Sequence, residues 1–298
     1  MIDVARPLID LKKEKEFLVC IDSDGCAFDA MEIKQKECFT PCTIKIWGLQ
    51  AISKYVREAA EFVNLYSKWR GTNRYPALIK VFELLSERDE VIKRKIKLPD
   101  LDSLRKWIDS EPNLNNLTLE KAVGETNDPI LAKTLEWSNA VNFSITDMVH
   151  GVPPFPYVKE SLEKIVKSAD AIVVSATPIE ALTREWAEHG IDKFVKVIAG
   201  QEMGTKKDHI RIAKNGRYIE SHVLKVGDAI GDYNAAKANN VLFYPINPNH
   251  EEASWKRFYD EAFDKFIDGT YEDDYENALI ENFMQLLPST PPWEKNYN

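Results

Sequence analysis

The sequence predicts an α/β protein, a parallel-sheet core interrupted by a long all-α insertion. Two observations carry this expectation. Five short runs rich in Val, Ile and Phe alternate with amphipathic helical patterns at the two ends of the chain. That alternation is the mark of parallel strands joined by crossover helices. Between the first run and the second, residues 31–150 show long helical patterns and no comparable strand series. The expected domains are therefore residues 1–30 with 151–298 as the core and its C-terminal helices, and residues 31–150 as the helical insertion.

Taken in order, the first strand is "EFLVCID" (16–22), a near-continuous apolar run of the kind a strand covered on both faces requires. The insertion follows, with helices expected in "IWGLQAISKYVREAAEFVNLYSKW", "PALIKVFELLSERDEVIKRK", "LDSLRKWIDS" and "DPILAKTLEWSNAVNFSITDMV". It ends at "HGVPPFPYV" (150–158), where Gly151 and three prolines mark a stiff hinge. The segment "PYVKESLEKIVKSA" then places Val158, Leu162, Ile165 and Val166 on one helical stripe. The second strand, "DAIVVSA" (170–176), precedes the helix "IEALTREWAEHG", which Gly190 closes as a C-cap. The third, "FVKVIAG" (194–200), precedes "KKDHIRIAKNG", closed in the same way. "HVLKVGD" (222–228) and "VLFYPIN" (241–247) are the fourth and fifth. Two more helices are expected in "EASWKRFYDEAFDKFIDG" and "EDDYENALIENFMQLL", before an irregular end at 288–298.

Composition excludes several classes. The chain has 298 residues, 44% of them apolar, which suffices for a large core. With 39 basic and 48 acidic side chains its formal charge is −9, which argues against generic binding to nucleic acid or anionic membrane. No apolar run approaches the roughly 18–20 residues of a membrane helix, and the opening residues lack a secretory apolar segment. A cytoplasmic location is the expectation. The four cysteines, Cys20, Cys26, Cys38 and Cys42, are expected to be reduced and structural rather than a metal cluster.

Four clusters carry chemistry. The first strand ends in two carboxylates, Asp22 and Asp24, followed at once by a glycine. Carboxyl ends of parallel strands are where such sheets bind ligands. Two anions there repel unless a cation or a proton relieves them. A Mg²⁺ ion is one solution, and a division into nucleophile and proton carrier is another. The fourth strand ends similarly in Asp228, with Asp232 four residues on, and in a parallel sheet both pairs fall on one edge. "VVSATP" (173–178) ends the second strand in Ser175, where a hydroxyl and backbone N–H groups at a helix start suit an anion. Lys206 and Lys207 open a helix after the third strand, against its dipole, so one of them is expected to face the acids. Taken singly, each cluster also fits a solvated turn or an ordinary helix cap.

The ordered set Asp-x-Asp-Gly, Ser, Lys, Gly-Asp-x₃-Asp resembles the haloacid dehalogenase-like superfamily of phosphohydrolases, over about residues 15–30 and 151–250. The resemblance implies a Rossmann-like core with a helical cap, and a Mg²⁺-dependent phosphatase acting on a small phosphorylated metabolite. It implies that Asp22 is the nucleophile forming an aspartyl-phosphate and that Asp24 is the acid and base. Asp22, the backbone carbonyl of Asp24 and Asp228 would bind Mg²⁺, with Asp232 a direct or outer ligand. Ser175 and Ala176 would meet the phosphoryl group. Lys206 or Lys207 would steady it, with Lys206 preferred because Ile210 and Ala213 then fall on the core face. In the insertion, "SKWRGTNRYPAL" (67–78) offers Arg70, Asn73 and Arg74 as substrate contacts. A phosphomutase or a phosphonate-cleaving enzyme uses much of the same set, and a non-catalytic binding protein on this scaffold is the alternative outside catalysis.

Overall fold

The computed structural model describes residues 4–294. The described residues form two compact units, 4–31 with 151–287, and 32–150 with 288–294.

The first unit is built on a five-stranded sheet of β1 (Phe17–Ile21), β2 (Ala169–Val174), β3 (Val197–Ala199), β4 (Val223–Gly227) and β5 (Leu242–Pro245). The order is β3-β2-β1-β4-β5, and every pairing is parallel. The crossovers thus run outward in both directions from β1, which places the switch of strand order between β1 and β4, where such sheets open a ligand crevice at their carboxyl ends. Alternate residues of β1 feed two cores. Val19 and Ile21 join one with Val158, Leu162 and Ile165 of the helix Val158–Ser168. Leu18 and Cys20 join the other with Ile210 and Ala213 of the helix Lys206–Lys214.

The C-terminal helices pack on this core. Trp255, Phe258, Phe263 and Phe266 are buried in the first cluster, and Trp255 Nε1 donates to the carbonyl of Cys26 at 2.7 Å. β5 is an edge strand, and the flank that no strand pairs is covered by the helix Asp274–Gln285: Glu276 Oε1 accepts from the Phe243 amide at 2.8 Å. Satisfying an edge amide in this way removes a site for unwanted strand pairing.

The second unit is helical, with a core of its own around Val56, Leu85, Leu104 and Val141. The expected helix over 46–69 is broken. Thr40–Trp47 ends at Gly48, whose φ of +70° only glycine adopts without strain, and the chain resumes in Ser53–Asn64. The expected helix over 76–95 divides at Arg88, whose backbone is extended, into Arg74–Glu87 and Asp89–Lys93. A helix absent from the sequence reading, Asn116–Thr126, is started by an Asn115–Thr118 capping box, and its single buried residue, Leu119, explains the weak apolar periodicity. Residues 288–294 group with this unit rather than with the sheet core expected from sequence. The Pro288 carbonyl accepts from the Lys68 amide at 3.3 Å, and Trp293 meets the Phe62 ring edge-on at 5.7 Å. No helix among the described residues is long and apolar enough to cross a membrane.

Candidate active site

Three acids converge at the carboxyl ends of β1 and β4. Asp22 follows β1 and Asp228 follows β4, while Asp232 lies in the first turn of the helix Ile230–Lys237. All three are buried, and each offers an oxygen within 4.8 Å of the others. The backbone makes this approach possible at one point. A Cβ on Gly227 would lie 2.3 Å from Asp232 Cγ and 2.4 Å from its Cβ, so only glycine lets the helix seat Asp232 against the end of the strand.

Lys206 enters the cluster from the start of its helix, which Thr205 and Asp208 cap reciprocally. Its Nζ donates to Asp22 Oδ2 at 2.6 Å and to Asp232 Oδ1 at 2.8 Å. Lys207 is exposed on the same helix, and only its backbone carbonyl is engaged, by Asn239, so the pair predicted from sequence resolves in favour of Lys206. The remaining carboxylate oxygen of Asp22, Oδ1, accepts from the Ser23 amide at 2.8 Å.

A second lysine, unforeseen from sequence, completes the arrangement. Lys225 lies within β4 and is 0% exposed; its Nζ sits 2.8 Å from Asp232 Oδ1 and donates to the Val226 carbonyl at 3.0 Å. Burial pushes the Asp22 carboxyl above its ordinary range, and Asp232 adds to the effect. Asp232 moves the other way: burial opposes ionisation, but Lys206 and Lys225 outweigh it and hold the carboxylate charged. For Lys206, burial is likewise outweighed by Asp22, Asp232 and Asp228, which keep it protonated.

Thr177 Oγ1 donates to Asp24 Oδ2 at 2.8 Å, so the loop after β2 orients this side chain. Ser175 is buried at the end of β2, its amide donating to the Ala199 carbonyl and its Oγ accepting from the Thr177 amide at 3.3 Å, while Ala176 is exposed. Ser23, between the two aspartates, is locked by Trp186 Nε1, which donates to its Oγ at 3.0 Å, and by its own donation to Glu185 Oε2 at 3.1 Å. Thr177 lies in the "VVSATP" turn that the sequence singles out, although its contact with Asp24 is visible only in the structure. Ser23 and Lys225 are the unexpected site residues, and of these only Lys225 leaves a signal in the sequence, a lone charge inside an apolar strand run.

The residues proposed from the insertion have structural employment in the helical unit. Buried Arg70 donates to the Leu65 carbonyl at 3.0 Å. Asn73 caps the helix Arg74–Glu87 by accepting from the Tyr75 amide, and donates to the Leu114 carbonyl. Arg74 Nη1 donates to Ser138 Oγ at 2.9 Å and Asn142 Oδ1 at 2.7 Å, and its guanidinium lies over the Phe39 ring. Of the three, Arg74 lines a cavity of about 20 Å³ that it shares with Gln35, Asn64 and Trp137. All four cysteines are free thiols, and among the described residues Asp22, Asp228 and Asp232 form the cluster with metal-holding geometry.

No protein-family model matches the chain, and no curated protein sequence matches it significantly. Among solved structures, the chain is similar to a haloacid dehalogenase-like family hydrolase from Streptococcus pneumoniae, at 12% identity and a TM-score of 0.43, over 80% of this chain and 90% of that one. It is similar to a predicted phosphatase from Clostridium acetobutylicum, at 16% identity and a TM-score of 0.41, over 78% and 85%. A haloacid dehalogenase-superfamily hydrolase from Geobacter sulfurreducens matches at 14% identity and a TM-score of 0.40, over 78% and 89%.

Proposed function

We propose that the chain is a haloacid dehalogenase-like phosphatase that hydrolyses a small phosphorylated metabolite through an aspartyl-phosphate, with Mg²⁺ as its cofactor, in the cytoplasm. The observation that carries this reading is the placement of Asp22. It ends the central strand of a parallel sheet, is held by Lys206, and has two further buried carboxylates within reach.

The donor set fits Mg²⁺. Its side-chain donors are carboxylate oxygens, the hard donors Mg²⁺ prefers. Asp232 Oδ2 is buried without a hydrogen-bond partner, as an oxygen reserved for a cation would be. Asp22 and Asp228 would hold the ion, with Asp232 beside them and the backbone carbonyl of Asp24 as a further donor. When bound, Mg²⁺ supplies positive charge against the phosphoryl oxygens and favours the ionised form of Asp22.

The chain's own groups do the rest. Lys206 pins Asp22 Oδ2 and the Ser23 amide pins Oδ1, so the nucleophile is held in one orientation. A carboxylate oxygen of Asp22 forms the bond to phosphorus as the ester P–O bond breaks. Asp24, steadied by Thr177, gives a proton to the departing oxygen. It then takes a proton from the water that attacks the acyl phosphate, which releases phosphate and restores Asp22. Ser175 and the Ala176 backbone, at a strand-to-helix turn, are the phosphoryl contacts, and Arg74 is the substrate contact retained from the helical unit.

The test is phosphate release from p-nitrophenyl phosphate and a panel of phosphorylated metabolites, with Mg²⁺, with EDTA, and with Asp22→Asn. Release is expected to require Mg²⁺ and to fall by at least about 10³-fold in Asp22→Asn, because the covalent route is lost. Release that survives in folded Asp22→Asn refutes the covalent mechanism.

A further inference from the structure

A lysine wholly buried in the middle of a strand calls for an explanation. Burying an ammonium costs several kcal/mol before pairing, and an apolar residue of similar volume would usually serve the core as well. The neighbours of Lys225 in β4, Leu224 and Val226, are apolar and fully buried. Lys225 shares its face of the sheet with Val223, among the apolar cluster that includes Ile210 and Ala213. From there its ammonium reaches the carboxyl edge of the sheet and ends on Asp232.

Two ammonium groups thus converge on a single oxygen. Lys206 Nζ and Lys225 Nζ each stand 2.8 Å from Asp232 Oδ1, while Oδ2 has no hydrogen-bond partner. One lysine would be enough to orient the carboxylate. The second changes the charge of the site. Asp22, Asp228 and Asp232 against Lys206 and Lys225 leave a formal net charge of −1, with Asp24 counted as the protonated acid of the mechanism above. A divalent ion alone would overshoot this to +1, and a dianionic phosphoryl group would return it to −1. With one lysine fewer the cluster would stand at −2, and a divalent ion alone would neutralise it.

We propose that Lys225 is a positioning residue that clamps Asp232 and, as an internal cation, makes tight divalent-metal binding depend on a phosphoryl anion at the same site. This rests on the metal reading above. By reciprocity, the anion must then bind more tightly in the presence of the metal by the same factor.

The test is calorimetric titration of Mg²⁺ into wild type and Lys225→Met, each with and without saturating orthophosphate, with thermal melts to establish folding. In wild type, orthophosphate is expected to tighten Mg²⁺ binding by at least about 10-fold. In Lys225→Met, Mg²⁺ alone is expected to bind at least about 10-fold tighter than in wild type, and orthophosphate to add less than about 3-fold. A purely structural lysine would not move this coupling. Folded Lys225→Met with unchanged or weaker Mg²⁺ affinity overturns the proposal while leaving the metal reading intact. Wild type that binds no Mg²⁺ overturns both. If Lys225→Met does not fold, Lys225→Gln removes the charge while keeping a donor for the Val226 carbonyl. Absence of Mg²⁺–orthophosphate coupling in wild type refutes the proposal without any variant.

Discussion

Replacing Gly227 by alanine tests how the site is assembled. The new methyl would stand 2.3 Å from Asp232 Cγ, 2.4 Å from its Cβ and 2.8 Å from Oδ2. Ordinary carbon contacts begin at about 3.5 Å, so the overlap exceeds about 1 Å. The clashing Cβ is tied to the backbone, so relief requires the helix Ile230–Lys237 to shift or Asp232 to swing away. Overpacking of this kind costs about 1–3 kcal/mol. If Asp232 leaves, Lys206 and Lys225 lose their shared partner, and breaking such a buried pair costs about 3–5 kcal/mol. The two costs overlap, so a loss of about 3–5 kcal/mol is expected, a large part of the roughly 5–15 kcal/mol that stabilises a typical domain. Urea denaturation followed by far-UV circular dichroism measures it, and calorimetry should show Mg²⁺ binding weakened or lost. Gly231→Ala is the control: its Cβ meets nothing within 4 Å, and in a helix alanine is expected to be neutral or to stabilise by up to about 1 kcal/mol. Equal stability of Gly227→Ala and wild type within about 0.5 kcal/mol, with Mg²⁺ binding retained, would refute the packing argument.

Three further outcomes are expected. Burial depresses the His209 imidazole to about 4, so the fold favours the neutral ring. Its contribution is complete above the unfolded value near 6.5 and is lost as pH falls from there through 4; at pH 5 the loss is about 2 kcal/mol, seen as a shallower acid loss of stability in His209→Phe than in wild type. Asp170 lies at the opposite, amino edge of β2, where it accepts from the amides of Glu14 and Lys15 and from Tyr218, and pairs with Lys196 at 2.7 Å. Asp170→Asn should cost about 2–4 kcal/mol in denaturation and leave Mg²⁺ affinity unchanged. Arg74→Ala should raise KM by at least about 10-fold with kcat nearly intact, and an unchanged KM in steady-state assays would remove Arg74 from substrate binding.

The five strands were legible because a sheet covered on both faces demands continuous apolar runs, and runs such as "EFLVCID" satisfy little else. The acids were legible for a related reason: polar residues that end such runs fall at one edge of a parallel sheet. Where the residues themselves gave a weak signal, the reading failed. Asn116–Thr126 buries one side chain and shows almost no periodicity, and Gly48 interrupts a pattern that is apolar on both sides of it.

By itself the sequence determined the strand series, the helical insertion and the residue types brought to the sheet edge, since these follow from local periodicity and chain direction. The tertiary structure alone decided that Lys206 and not Lys207 meets the acids, that Thr177 orients Asp24, that residues 288–294 belong with the helical unit, and that Lys225 is a buried cation rather than a strand-edge charge. Each of these depends on which groups lie across space and on how much water is excluded between them. Side chains 26 residues apart, such as Lys206 and Asp232, share one hydrogen bond only because two crossovers return to the same edge.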